Sequence, residues 1–200
     1  MKRTASLLLS ALFFVFLFFR STEAHALGPL DVEVGARLGY ATNPNSDVGN
    51  PLGTGVGARG GIELFHRLYA GVNAMYYFGT SQNTPLGVEQ QSTHSLLLGF
   101  ELGYSLHVSI LTIRPQLGIG EANITSFAQF NSAAENTAVI PNNSVTYTHT
   151  YLEPGLVALI NVGIVYVGAD ANILVITGAN EADGNAYTSF AFGAQAGLRF

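Results

Sequence analysis

The sequence predicts an all-β chain that closes into an antiparallel transmembrane β-barrel of about eight strands, with ten as the alternative count. Three observations carry this. Hydrophobic residues make up 48% of the chain, yet beyond residue 26 no apolar run reaches the roughly 20 residues that a membrane helix needs. Instead, apolar residues alternate with polar or small ones, with a period of two, over about eleven residues at a time. That suits a tilted membrane strand of about 9–11 residues better than a soluble strand of about 5–6. Finally, short and long connections alternate between the strand-like stretches, as in outer-membrane barrels.

Residues 1–26 read as a secretory signal peptide. Lys2 and Arg3 form a basic start, Ala5 to Phe19 is apolar, and Ala24-His25-Ala26 is a small-x-small cleavage site. Residues 27–200 then form the barrel domain. This mature part has no Cys, and carries five Arg against twelve acids, a net charge of −7. With no basic patch, nucleic acid is not an expected partner.

The first strand covers about 30–40, with Leu30, Val32, Val34, Ala36, Leu38 and Tyr40 on one face and Asp31, Glu33, Gly35, Arg37 and Gly39 on the other. The second, about 54–65, sets Val56, Ala58, Ile62 and Leu64 against Arg59 and Glu63. The third, about 68–78, sets Val72, Ala74, Tyr76 and Phe78 against Gly71, Asn73 and Met75. The fourth, about 95–106, sets Leu96, Leu98, Phe100, Leu102 and Tyr104 against Gly99, Glu101 and Gly103. The fifth, about 110–121, sets Leu111, Ile113, Leu117 and Ile119 against Thr112, Arg114, Gln116 and Gly118. The sixth, about 147–160, sets Leu152, Leu156, Ala158 and Ile160 against Tyr151, Glu153 and Gly155. The seventh, about 164–176, sets Val165, Val167, Ala169, Ala171, Ile173 and Val175 against Tyr166, Gly168, Asp170 and Asn172. The eighth, about 187–200, sets Phe190, Phe192, Ala194, Ala196, Leu198 and Phe200 against Gly193, Gln195, Gly197 and Arg199. Pro115 and Pro154 fall inside strands and are read as bulges. The ten-strand alternative rests on Ile124, Phe127, Phe130 and Val139-Ile140, which would supply a further hairpin within 122–146.

The last strand ends Phe190-x-Phe192-x-Ala194-x-Ala196-x-Leu198-x-Phe200, which resembles the signal that the outer-membrane barrel assembly machinery reads in its clients. With the leader and the strand pattern, the mature chain resembles the small OmpA/OmpX-like outer-membrane β-barrel family along nearly its whole length. The resemblance implies an assembly role for Phe190, Phe192, Leu198 and Phe200, outer-membrane lipids as surroundings, and the assembly machinery as a partner during biogenesis. No peptidoglycan-binding domain is expected after the last strand.

Parity puts ten charges on the inner face: Asp31, Glu33, Arg37, Arg59, Glu63, Glu101, Arg114, Glu153, Asp170 and Arg199. An eight-stranded barrel is just wide enough for side chains to fill it, so these charges are expected to pair. A two-residue turn at His107-Val108 would set Glu101 directly opposite Arg114. Closure of the eighth strand on the first would bring Arg199 to Asp31 or Glu33. Asp47, Glu89, Glu121, Glu135, Glu181 and Asp183 would give an acidic loop side. Tyr40, Tyr69, Tyr76, Tyr77, Tyr104, Tyr147, Tyr187 and Phe200 would form interfacial girdles. His149, Tyr151 and Glu153 share a face but lack a matching nucleophile. No catalytic residue, metal site or cofactor is therefore expected. The expected function is an integral outer-membrane barrel with a structural or surface-interaction role, its surface ligand unspecified. A narrow passive channel for small solutes is the alternative, and an envelope lipid-modifying enzyme a third reading.

Overall fold

The computed structural model describes residues 30–42, 50–79, 81–82, 88–130, 143–177 and 186–200, with the side chains of 81–82, 88–92, 127–130 and 143 left aside. The expected leader, residues 1–26, thus lies outside the described residues. Eight strands form the barrel wall: β1 (Leu30–Ala41), β2 (Gly53–Leu64), β3 (Leu68–Tyr77), β4 (Val88–Tyr104), β5 (Leu111–Phe130), β6 (Asn143–Val162), β7 (Val165–Ile176) and β8 (Tyr187–Arg199). Leu106–Val108 continues β4 past Ser105. Each strand pairs antiparallel with its neighbour in sequence, and β8 closes on β1 from Glu33↔Arg199 to Ala41↔Ala191. Reciprocal Val32–Phe200 backbone bonds of 2.9 Å complete the seam.

The register fixes the barrel's shape. A row of directly paired residues starts at Asp31 and passes through Glu63, Tyr69, Gly103, Gln116, Gly155, Asn172 and Ala191. It returns to β1 at Ala41, ten residues from its origin. That stagger tilts the strands by about 35–45°. The outer face is apolar from the Tyr40 and Tyr76 level down to the tight turns, where Phe65, Val108, Ile110 and Val162 are all exposed. An outward apolar band about 25 Å tall is what lipid requires of such a wall.

Among the described residues the wall has eight strands, because 122–130 and 143–146 add no further hairpin. β5 and β6 simply run on, paired to Ala128↔Asn143, and stand above the apolar band beside β4. Residues Val139-Ile140 lie outside the described residues. The prolines are not bulges either. Pro115↔Leu156 and Leu117↔Pro154 sit in an unbroken register, both exposed on the outer face.

The β4–β5 turn also departs from its expected position. It falls at Ser109-Ile110, with Val108↔Leu111 as the closing pair and Ser109 at φ 57°. The ladder therefore sets Glu101 opposite Gly118, and brings Arg114 to the level of Ser105. The β2–β3 turn is strained, with Phe65 (φ 53°) and His66 (φ 54°) both in the left-handed region that favours Gly or Asn.

Large inner side chains fit because glycines face them. A Cβ on Gly35 would strike the Tyr166 hydroxyl, one on Gly99 the Tyr151 hydroxyl, and one on Gly61 the Tyr69 ring at 2.6 Å. These tyrosines are buried to 2% exposure or less.

Gly35→Val should cost about 1–3 kcal/mol by overpacking, and Tyr166→Ala in the same chain should recover part of that loss in thermal unfolding. Replacing Phe65-His66 with Asn-Gly should raise the unfolding temperature, since each strained residue costs about 1–3 kcal/mol; an unchanged temperature would show the turn unstrained.

Candidate functional site

The lumen is the one place where polar chemistry concentrates among the described residues. All ten inward charges project into it from seven strands, and Glu33, Arg37, Arg59, Glu63, Glu101, Arg114, Glu153 and Asp170 are 5% exposed or less. They form three tiers.

At the turn end, Arg114 is fully buried. It grips Glu33 with two parallel bonds of 2.9 and 2.6 Å, reaches Glu63 at 3.0 Å, and donates Nε to Ser105 at 2.9 Å. Its guanidinium also lies 3.9 Å from the Tyr69 ring centre. Such forked pairing is the strong form of Arg–carboxylate contact. Below it, Arg199 meets Glu63 at 2.6 Å, Asp31 at 2.8 Å and Glu33 at 3.5 Å. His107 joins at 3.2 Å from Glu63, and His66 at 3.1 Å from Asp31.

In the middle tier Arg59 donates to Glu101 at 2.6 Å, Gln116 at 2.9 Å and Gln195 at 3.0 Å. Asn73 donates to Glu101 at 2.8 Å and accepts from the Tyr151 hydroxyl at 2.9 Å. In the upper tier Arg37 bonds Asp170 through Nε at 3.1 Å and through Nη2, and Glu153 at 3.1 Å. Asn172 donates to both carboxylates.

Above the tiers, toward the long loops, the lumen turns apolar. Ala41, Met75, Tyr77, Leu97, Ala122, Tyr151, Leu174, Ile176 and Ala191 close over it, with Leu52 inserted from the β1–β2 connection at 0% exposure. Asn50 holds that connection by donating to the Ala41 carbonyl at 3.1 Å and accepting from the Leu52 amide at 3.0 Å. The Ser95 hydroxyl donates to the Pro51 carbonyl at 2.7 Å.

Glu101 and Arg114 are both inward but have different partners, Arg59 and Glu33/Glu63 respectively. The uncharged partners Asn73, Ser105, Gln116, Asn172 and Gln195 share the inward parity, and that parity is the signal that finds them. Tyr69 and Tyr77 are inside the barrel rather than in a girdle, and Tyr187 packs against the apolar layer. Tyr147 has the inward parity of Tyr151. On the outer face stand Tyr40, Tyr76, Tyr104 and Phe200, with Arg67 donating to the Tyr104 hydroxyl at 2.9 Å. Phe190, Phe192, Leu198 and Phe200 line the outward face of β8. Of the expected acidic loop side, Glu121 is exposed on the outer face; the side chains of Asp47, Glu89, Glu135, Glu181 and Asp183 lie outside the described residues.

Tyr151 and Glu153 are committed to Asn73 and Arg37, whereas His149 stacks on Tyr147 with ring centres 6.3 Å apart. Among the described residues no group of three or more His, Cys, Asp or Glu is placed to hold a metal ion.

No protein-family model and no curated protein matches this chain. Among solved structures, it is similar to a major outer membrane protein from Thermus thermophilus, at 10% identity and a TM-score of 0.61, over 86% of this chain and 99% of that one. The N-terminal β-barrel domain of Pseudomonas aeruginosa OprF aligns at 13% identity and a TM-score of 0.47, over 85% and 97% of the two chains. Neisserial surface protein A aligns at 12% and 0.47, over 86% and 96%. At such identities the likeness is one of fold.

Arg114→Met should destabilise the barrel by about 3–5 kcal/mol, since Glu33 and Glu63 stay buried and lose their main partner. A thermal-unfolding double-mutant cycle with Glu33→Gln should show coupling of about 0.5–3 kcal/mol. The same cycle between Arg114→Met and Glu101→Gln should show a smaller coupling; coupling as strong as that with Glu33 would contradict the observed register.

Proposed function

We propose that this chain, whose fold is that of the small OmpA/OmpX-like outer-membrane β-barrels, is an integral outer-membrane protein of a diderm bacterium with a structural and surface-interaction role. The carrying observation is the lumen. Four Arg are tied into carboxylate and amide networks across it, and an apolar layer that includes Leu52 covers the loop end. A solute on this axis would have to part buried ion pairs and then cross a dry layer. Among the described residues Tyr151 and Glu153 are bonded to Asn73 and Arg37 rather than to a nucleophile, which favours a role other than catalysis.

In this reading the leader directs export, and the assembly machinery engages the aromatic outer face of β8. The long loops face outward from the cell. The interacting part is the sheet of β4, β5 and β6 that rises past the apolar band. Its outer face carries Asn123, Thr125, Thr146 and Thr148, cross-linked by Thr125–Thr146 at 2.9 Å and Thr148–Asn123 at 2.7 Å. Past the Thr150–Thr177 bond, residues Asn143–His149 pair with β5 on one side and with no strand on the other among the described residues. Such an edge offers backbone donors and acceptors to a partner's strand.

In planar bilayers the purified barrel should show no sustained conductance at neutral pH. Stable single-channel steps would replace this reading with a passive solute channel.

A further inference from the structure

The outer wall carries a feature that the barrel's own packing does not require. Gly60 is the only glycine in the described strands that faces outward. A Cβ added there would meet nothing closer than 3.6 Å, whereas inward glycines such as Gly35, Gly61 and Gly99 face tyrosines or backbone at close quarters. Interior fit therefore explains those glycines and leaves Gly60 unexplained.

Gly60 lies in a groove of about 580 Å³ on the lipid-facing side of β2 to β5. Ala58, Gly60 and Ala74 form its floor, Val72 and Phe100 its sides, and Glu121 stands at its loop end. The volume falls within the roughly 300–1,000 Å³ of small-molecule sites. Ala58, Ala74, Leu98 and Glu121 are consecutive partners in one ladder row. The ten-residue stagger makes that row climb toward the loops, so Glu121 reaches the level of Tyr40 and Tyr76. On the same face of β5, Ile119 precedes Glu121 and Asn123 follows it. Glu121 thus marks the boundary where the apolar band ends.

We infer that this groove seats one acyl chain of a loop-side lipid whose head group presents an ammonium to the Glu121 carboxylate. This rests on the membrane placement proposed above. The head-group chemistry follows from charge. Four of the five Arg of residues 27–200 point into the lumen, and Arg67 lies at the opposite, turn end. No cation stands beside Glu121 on the outer face among the described residues, so a bare phosphate would meet the carboxylate with no positive charge to offset it, only the hydroxyl of its ladder partner Thr150. A zwitterionic amine head group answers that charge, and an apolar chain fills a floor that lacks side chains of its own.

The test uses the full mature chain in nanodiscs of equal phosphatidylethanolamine and phosphatidylglycerol, followed by native mass spectrometry of the lipid retained after extraction. The wild type should carry one phosphatidylethanolamine. Gly60→Leu, and independently Ala74→Leu on the neighbouring strand, should lower retention of either lipid by about tenfold, the scale of losing a few buried methylenes. Both changes point outward, and heat-modifiable gel mobility checks that each variant still folds. Glu121→Gln should keep a lipid but lose a preference of about two- to fivefold, the scale of an exposed ion pair. Unchanged retention in both filled variants, a preference for phosphatidylglycerol, or a doubled mass that marks a second copy in the groove would each overturn the assignment. Failure of the wild type to enter nanodiscs would instead refute the membrane placement, and the lipid site with it.

Discussion

Arg114 is the contact on which the interior depends. Its guanidinium starts from β5 and touches Glu33 on β1, Glu63 on β2, Tyr69 on β3 and Ser105 at the end of β4. Arg59 reaches as many strands, through Tyr69 on β3, Glu101 on β4, Gln116 on β5 and Gln195 on β8, but its ring contact is longer, at 5.3 Å against 3.9 Å. A buried charge is expensive, and the cost is offset only when every donor finds an acceptor. Here the fork to Glu33, the bond to Glu63 and the Nε–Ser105 bond use the guanidinium on all its sides. Arg37 and Arg59 extend the network upward, linking β1 to β6 and β7, and β2 to β4, β5 and β8, with Arg59 Nε left without an acceptor. All eight strands are thereby cross-linked from inside.

In the proposed membrane placement, this network exists because lipid forbids the usual solution. A soluble domain buries its apolar face and wets its polar one, but here the outer face must be apolar, and period-two alternation sends the polar residues inward. Within so narrow a cylinder they cannot all be hydrated. The glycines complete the fit by clearing space, so that Tyr69, Tyr151 and Tyr166 lie over nearby strands of the wall. The result is a solid post of ion pairs, amides and phenols, capped by an apolar layer.

The functional consequence is a division of labour along the axis. The band between the tight turns and the Tyr40–Tyr76 level anchors the protein in lipid and conducts nothing in the proposed reading. Whatever the molecule recognises must then be met by its outer surfaces: the projecting β4–β5–β6 sheet with its threonine-rich face, the loops, and the lipid-facing wall beside Gly60.

The alternation of residues by itself determined the strand identities, the inward side of all ten charges and the outward face of β8, because a strand's side chains obey a period of two whatever surrounds them. Closure of β8 on β1 was also legible, since a lipid-facing sheet cannot leave an open edge. What parity does not carry is distance along a strand. A shift of the β4–β5 turn from residues 107–108 to Ser109-Ile110 leaves every side chain on the same face, yet moves Arg114 four residues away from Glu101's partner position. The identity of each ion pair was therefore decided only by the tertiary structure, through the turn positions and the ten-residue stagger. So was the apolar layer over the lumen, because Leu52 belongs to a connection and has no period to betray it; its place depends on local Asn50 bonds and on the Ser95–Pro51 bond, which joins segments far apart in the chain.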